Sequence, residues 1–256
     1  MGKTITLAVV NQKGGVGKTT TSVNLAAVLA KTHGKKVLLV DMDPQGHATA
    51  HLGHDPDELM GVHDVMLEGK SIAEVVESTS IEGLDLVPAP EDDTDIQLQG
   101  KPGREFFLRK ALSKTDEYDF VIIDAPPHLS VLMFNALVAC DQYIIAIYPE
   151  GASVRGIAKL ERTAQVLRDI IVAQELRLLG VLPCRVDPRL KLTQAVLSSL
   201  KGAEGLPIFE TMIRQNVRLS EAFTRGVPVI ESDPDSNGAK DYLALTAEVL
   251  GKLNAS

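Results

Sequence analysis

The stretch Gln12-Lys13-Gly14-Gly15-Val16-Gly17-Lys18-Thr19-Thr20 decides the fold of this chain. It follows an apolar run at residues 5–10 and precedes a helix-like run at residues 19–31. A phosphate-binding loop requires this order of strand, glycine loop and helix, because glycines allow a tight turn that points successive backbone N–H groups at phosphate oxygens. The positive end of the following helix adds to the attraction. The stretch therefore predicts a strand–loop–helix unit that binds phosphate.

Two side chains of this loop carry the predicted chemistry. Lys18 is expected to reach the β- and γ-phosphates of a nucleotide, and the hydroxyl of Thr19 is expected to hold Mg²⁺. The expected nucleotide site consists of Lys13, Gly14, Gly15, Val16, Gly17, Lys18, Thr19 and Thr20. An ordinary glycine-rich turn is the alternative, and the agreement of the loop, the lysine, the hydroxyl and the flanking elements argues against it.

The start of the loop departs from the usual pattern GxxxxGK[ST]. Gln12 stands where the first glycine belongs, and Lys13 follows it. The form KGGVGKTT resembles the deviant Walker A loop of the ParA/MinD class of ATPases. The resemblance implies that Lys13 serves a nucleotide held by a facing subunit. The alternative is that Lys13 is a solvated surface charge.

Composition bounds the class of protein. The chain has 256 residues, of which 45% are hydrophobic and 23% charged, so we expect one α/β domain over residues 1–256. Its two cysteines, Cys140 and Cys184, lie in apolar runs and fit a reducing cytoplasm. Residues 1–3 lead straight into the first strand, so no signal peptide is expected. No apolar run reaches the ~18 residues that a membrane span requires.

Apolar runs alternate with amphipathic runs along the chain. The predicted strands are residues 5–10, 37–40, 84–87, 118–124, 143–148, 178–185 and 208–213. The predicted helices are residues 19–31, 61–68, 72–77, 106–113, 154–174, 190–202, 217–224 and 237–252, while 91–103 has no assignment. This alternation predicts an α/β fold with a doubly wound, mostly parallel sheet and helices on both faces.

Acidic residues follow two of the predicted strands. Asp124 comes after four hydrophobic residues, which is the Walker B arrangement, and its carboxylate is expected to accept hydrogen bonds from Mg²⁺-bound water. Asp43 lies in a segment with proline and glycine, and we expect it to position the attacking water close to the metal; a helix cap is the alternative. Asp41 is expected to support structure or an outer-shell Mg²⁺ contact. The predicted catalytic residues are therefore Lys13, Lys18 and Asp43, and the predicted metal site comprises Thr19, Asp43 and Asp124.

Four histidines lie close together in the sequence. His47, His51, His54 and His63 follow no metal-ligand spacing, and their segment is loop-like. We therefore expect surface histidines and no metal cluster.

The resemblance extends to three ordered motifs at residues 11–24, 37–48 and 118–129, which look like those of the ParA/Soj partition ATPases. It implies an ATP- and Mg²⁺-dependent homodimer in which each Lys13 reaches the other subunit's phosphates. It also implies non-specific binding to the nucleoid DNA of the cytoplasm. A ParB-like or cargo-adaptor protein would stimulate ATP hydrolysis and release the dimer, so that a plasmid, a chromosome region or a protein assembly is positioned.

A fourth, looser match covers residues 213–222. In the family this stretch borders the adenine, so Arg214, Gln215 and Asn216 are implied adenine neighbours. The family usually has proline where Arg214 stands. Another departure follows Glu150, where the family commonly has an aromatic pair and then Leu-Glu-Gly, and this chain has residues 151–156, GASVRG.

Charge is unevenly distributed. The net charge is −8, yet residues 151–230 hold 12 Lys and Arg against 7 Asp and Glu. A basic segment in an acidic protein can form a local DNA-binding face. The DNA-contacting arginines of the family lie in corresponding regions, which implies Arg189, Lys191, Arg218 and Arg225 here.

Two other classes share this fold. A MinD-like membrane ATPase would need a basic amphipathic helix at the C-terminal end, but residues 239–253 carry only Lys240 and Lys252 as cations, against Asp241 and Glu248. An iron–sulfur carrier would need cysteines arranged between subunits, and Cys140 and Cys184 do not resemble that arrangement. We therefore expect no membrane partner.

Overall fold

The structure is a computed structural model that describes residues 3–151, 153–170, 176–203 and 205–255. Within this part of the chain, one sheet has seven strands: β1 (Ile5–Val10), β2 (Val37–Asp41), β3 (Glu77–Ser78), β4 (Leu84–Val87), β5 (Phe120–Asp124), β6 (Gln142–Ile147) and β7 (Arg177–Pro183). Their order is β3-β4-β2-β5-β1-β6-β7. All neighbours are parallel except β3 and β4. This confirms the predicted doubly wound, mostly parallel sheet.

Helices connect the strands and cover both faces of the sheet. They are α1 (Lys18–His33), α2 (His47–His51), α3 (Ile72–Val75), α4 (Thr94–Leu98), α5 (Phe107–Leu112), α6 (Val131–Ala139), α7 (Ser153–Ile170), α8 (Lys191–Lys201), α9 (Val217–Thr224), α10 (Val229–Ser232) and α11 (Asn237–Asn254). Short 3-10 turns lie at Pro56–Glu58 and Arg104–Phe106, and a π-helical turn lies at Asp64–Glu68.

The sheet separates two hydrophobic cores. Successive residues of a strand point to opposite faces, so Ala8 packs with α5, α6 and α7, and Leu7 packs with α1 and α11. Both residues are fully buried. A fully buried leucine such as Leu39 contributes ~1.5–3 kcal/mol. Strands β1, β2 and β5 are apolar apart from Thr6 and the terminal Asp41 and Asp124, because both faces are covered.

Helix α1 is buried almost all round because it lies between the sheet and α11. It ends at His33, before Gly34, which has the left-handed φ of 60°. The amides of Gly34 and Lys35 both donate to the carbonyl of Leu29, the latter over 3.1 Å, which closes the last turn of the helix. The helix is therefore well fixed at the end opposite the glycine loop.

The predicted strand at residues 208–213 is wrong. This segment runs beside β7 but makes only an isolated bridge, between Ile208 and Val181, among the described residues. The reason is that the amides of Glu210 and Thr211 donate to the carboxylate of Glu248 on α11, each over 2.9 Å. These two backbone amides therefore bind a side-chain carboxylate instead of the backbone carbonyls of a neighbouring strand.

Other boundaries also differ. The helix predicted at 72–77 ends at Val75, and Glu77 begins β3. The helix predicted at 106–113 begins at Phe107, after a 3-10 turn, and the last residues of the one predicted at 154–174 lie outside the described residues. Helix α6 was missed, although Ser130 marks its start by accepting a hydrogen bond from the amide of Met133.

Candidate functional site

The glycine loop joins β1 to α1 at the carboxyl edge of the sheet. Gly15 and Gly17 have φ of 72° and 102°, which side chains other than glycine's rarely adopt. Asn11 anchors the start of the loop, since its amide nitrogen donates to the carbonyl of Ala146 over 2.6 Å and its oxygen accepts from the amide of Lys13 over 2.9 Å. The loop thus has the strand–turn–helix context that its sequence predicts.

Lys18 is buried at the base of the loop. Its ammonium donates to the carbonyl of Lys13 over 3.4 Å. Burial lowers the pKa of Lys18, while the charges of Asp124 and Asp43 raise it. The structure therefore brings the predicted lysine together with both predicted carboxylates, and a buried cation in this position favours an anionic ligand.

Asp124 ends β5 and is fully buried. Its Oδ1 accepts from the hydroxyl of Ser22 over 3.0 Å, and its Oδ2 has no hydrogen-bond partner in the described part of the chain. Burial raises the pKa of Asp124 to about 6, against the lowering effects of Thr19, Lys18 and Ser22. A buried carboxylate oxygen without a partner is uncommon, and here it lies beside Thr19, which fits a hydrated divalent cation.

Asp41 and Asp43 have different surroundings. Asp41 lies directly beside Asp124 across β2 and β5. Its carboxylate accepts from the amide and the hydroxyl of Thr49, both over 2.9 Å, and from the amide of Asp43 over 3.2 Å. Burial, followed by the charge of Asp124, raises the pKa of Asp41 to about 8. These contacts give Asp41 a structural role between β2 and α2.

Asp43 is nearly buried, and its carboxylate accepts from the amide of Gln45 over 3.2 Å. Its carbonyl accepts from the amide of Gly46 over 2.9 Å, which closes a turn before α2. Asp43 also acts electrostatically on Lys18 and Asp124. Asp43 therefore forms a turn near Lys18, and it is not the cap of α2, because Gly46 occupies that position and no side chain caps it.

Lys13 lies at the exposed outer side of the loop. Its side chain is 57% exposed, and its ammonium forms an ion pair with Glu150, which follows β6. Sequence reasoning did not single out Glu150 as a partner, because 137 residues separate the two. Lys13 is thus held by its own subunit in this structure.

Comparisons with known proteins agree with this geometry. A family model described as an AAA domain matches residues 3–178. The sporulation initiation inhibitor protein Soj of Bacillus subtilis is 41% identical over 253 residues, which are 97% of this chain and 98% of that protein. The chromosome partitioning protein ParA of Myxococcus xanthus is 38% identical over 248 residues, which are 95% and 87% of the two chains. This chain belongs to the ParA/Soj family of partition ATPases.

A solved structure supports the fold of this ParA/Soj member. It is described as cobyrinic acid a,c-diamide synthase from Mycobacterium smegmatis with bound ATP analog and magnesium. The match has a TM-score of 0.85 and 36% identity and covers 98% of this chain and 96% of that one. The sequence relatives and this structure together support the fold of the chain and the activity of its family, ATP hydrolysis.

The segment with the unusual Arg214 has structural contacts of its own in this ParA/Soj chain. The guanidinium of Arg214 binds the carboxylate of Asp241 on α11, with Nη2 to Oδ1 at 2.6 Å and Nε to both oxygens at 3.0 Å. Asn216 caps α9 by accepting from the amide of Arg218 over 2.9 Å. Gln215 is exposed, and its amide donates to the carbonyl of Val186 over 3.0 Å. Arg214 therefore joins this segment to α11, as proline would not.

The residues predicted to contact DNA come from two elements. Arg189 and Lys191 lie at the start of α8, which packs on one face of the sheet, and Arg218 and Arg225 lie on and after α9, which packs on the other. Arg189 is bound by Asp187, with Nη2 to Oδ2 at 2.8 Å, and hydrogen bonds from Arg189 lower the pKa of Asp187 to about 2. No described contact joins the two pairs.

Arg218 is also paired with carboxylates, with Nη1 to Oε2 of Glu221 at 2.6 Å and Nε to Oδ2 of Asp233 at 3.0 Å. Lys191 and Arg225 are exposed. Two of the four predicted DNA contacts are therefore already partly neutralised by acidic neighbours. DNA phosphates would have to compete with these carboxylates.

The prediction of surface histidines is wrong for one of the four. His51 is buried and packs edge-on against Phe223, with ring centroids 5.3 Å apart. His63 is partly buried, and its Nδ1 lies 2.8 Å from the hydroxyl of Thr94.

No helix of the described residues is both long and apolar enough to cross a membrane.

Proposed function

We propose that residues 1–256 form one ATPase domain that acts as a partition switch. It binds ATP and Mg²⁺ at residues 13–20, dimerises face to face, binds DNA without sequence preference and is released when a ParB-like or cargo-adaptor protein stimulates hydrolysis. The cycle would segregate or position a plasmid, a chromosome region or a protein cargo on the nucleoid in the cytoplasm. The observation that carries the proposal is the convergence of Lys18, Asp43 and Asp124 at the glycine loop.

The chemistry follows from where the charges lie. Lys18 would neutralise charge on the phosphates, because little water screens the attraction between a buried cation and an anion. Thr19 and Asp124 would hold Mg²⁺, and the partner-free Oδ2 of Asp124 supports this assignment. When bound, the metal neutralises phosphate charge and orients the triphosphate. Asp43 would orient the attacking water from its place in the turn after β2.

The ion pair between Lys13 and Glu150 bears on dimerisation. A lysine held by its own subunit must leave that partner before it serves a facing subunit. Exposed ion pairs contribute only about 0–1 kcal/mol, so the multiple charge of a triphosphate would displace Glu150 readily. The pair supports a switch in which nucleotide binding frees Lys13 for the facing subunit.

DNA is the proposed surface rather than a membrane. Helix α11 buries Tyr242, Leu245 and Val249 in the core on its face of the sheet, so these apolar side chains are unavailable to lipid. Relatives named for chromosome partitioning also support a DNA partner. The proposed contacts are Arg189, Lys191, Arg218 and Arg225. Their exposure suits phosphate contacts, which carry no sequence information.

Assays of ATP hydrolysis and DNA binding with the purified protein test the proposal. We expect slow ATP hydrolysis that requires Mg²⁺. We also expect gel shifts of two unrelated duplexes in ATP but not in ADP. Binding should weaken steeply with salt, because neutralised phosphates release counterions. Lys18→Ala should lose nucleotide binding, whereas Lys110→Ala, an exposed lysine on α5, should not. Equal DNA binding in both nucleotides, or tight ATP binding by Lys18→Ala, would overturn the assignment.

A further inference from the structure

Arg185 follows β7 and lies next to the glycine loop in space. Its φ is 55°, and it is the one residue other than glycine with a positive φ in the described chain. Left-handed backbone is unfavourable for an arginine, so it persists where surrounding contacts hold it. Such outliers point to a function when those contacts lie at a binding site.

The contacts of Arg185 lead to the loop. Its Nη1 donates to the carbonyl of Gly15 over 3.0 Å. The guanidinium carbon also lies 5.3 Å from the centroid of the Tyr148 ring, a cation–π distance. The preceding residue, Cys184, is so close to the loop that a Cβ on Gly17 would lie 3.1 Å from its Cβ. The turn after β7 therefore contacts the loop at two of its glycines.

The bond to Gly15 has a consequence for the next amide. A trans peptide is planar, so the N–H of Val16 points opposite to the carbonyl of Gly15. While Arg185 holds that carbonyl on its own side, the N–H of Val16 faces the other side of the loop. Backbone N–H groups are the donors with which such loops bind phosphate.

We infer that Arg185 is a positioning residue for the phosphate loop, which keeps the Gly15–Val16 peptide oriented for phosphate before nucleotide arrives. This inference rests on the proposed binding of ATP. The left-handed backbone and the Tyr148 ring fix the guanidinium, and the guanidinium fixes the loop. Because the role acts through the loop, it concerns affinity for ADP as well as ATP.

The chain offers a variant that removes the side chain without straining the backbone. Asparagine tolerates the left-handed region, so Arg185→Asn keeps the turn and deletes the guanidinium. Arg162→Gln is the matched control, because Arg162 is an exposed arginine of α7 whose Nε donates to the carbonyl of Ala158 within its own helix. Thermal unfolding of both variants verifies that they fold.

Three measurements test the inference. Arg185→Asn should weaken ATP and ADP binding about tenfold, which corresponds to about 1.4 kcal/mol. Its KM for ATP should rise while kcat changes less than about twofold, since a pre-organised binding loop adds uniform binding. In nucleotide-free protein, hydrogen exchange of the loop amides at residues 13–17 should accelerate. Arg162→Gln should match the wild type in all three.

The outcomes are distinct. Unchanged affinity in Arg185→Asn overturns the inference. Weaker binding with unchanged loop exchange also overturns it, because Arg185 would then contact the nucleotide directly. If the wild type binds no ATP, the proposed function fails, whereas loop exchange in nucleotide-free protein still reports on the Arg185 contact.

Discussion

His51 makes the stability of this protein sensitive to acid. The imidazole is buried against Phe223, and neither ring nitrogen has a hydrogen-bond partner among the described residues. Burial lowers the pKa of His51 from 6.5 to about 4, and the backbone of Val227 acts in the opposite direction. The folded state therefore keeps a neutral ring at pH values where the unfolded chain takes up a proton.

The sign and size of the effect follow from proton linkage. Between pH 6.5 and pH 4 the unfolded state binds more protons at this site than the folded state, so stability falls as the pH falls. Each unit of pKa difference corresponds to about 1.4 kcal/mol, so His51 lowers the free energy of unfolding by about 3 kcal/mol between pH 7 and pH 4. Well above pH 6.5 the ring is neutral in both states and has no such effect.

Urea unfolding of the wild type and of His51→Leu at pH 7 and pH 4 measures this contribution. Leucine cannot titrate and retains an apolar contact with Phe223, while the other titrating groups are shared by both proteins and cancel in the difference. The wild type should lose about 3 kcal/mol more than His51→Leu. Parallel losses in the two proteins, or a His51 ring proton that titrates near pH 6.5 by NMR, would refute the reasoning.

Further predictions concern the switch and the fold. Asp43→Ala should bind ATP but hydrolyse it far more slowly and remain dimeric on size exclusion; wild-type turnover contradicts its role. Lys13→Ala should bind nucleotide without dimerising, whereas Glu150→Gln should dimerise at a lower ATP concentration than the wild type, as measured by light scattering. Unchanged dimerisation in both variants would show that the Lys13–Glu150 ion pair has no part in dimerisation. Gly61→Ala should lower the free energy of unfolding, measured in urea, by about 1–3 kcal/mol, because the new Cβ would lie 2.5 Å from the carbonyl oxygens of Pro88 and Ala89. Gly251→Ala is the control and should not destabilise the protein, because the space around Gly251 is open.

Local sequence was sufficient for the elements whose signals are local. The glycine loop, the end of α1 at Gly34 and the apolar central strands all follow from backbone freedom and burial, which act between near neighbours in the chain. The acids at the carboxyl ends of β2 and β5 were also predictable, since parallel strands bring these ends to one edge. Short helices such as α2 and α10 were missed because four or five residues carry too little periodicity.

Only the tertiary structure decided the pairings between residues that are far apart in the sequence. Glu248 of α11 takes the amides of Glu210 and Thr211 and turns a predicted strand into an irregular segment. Lys13 meets Glu150, and Arg185 meets the carbonyl of Gly15, across separations of 137 and 170 residues. Such contacts depend on where whole elements pack, and no periodicity or spacing in the chain encodes them. The sequence by itself determined which chemistry lies at the loop, and the packing of β6, β7 and α11 around it decided which side chains hold that loop in place.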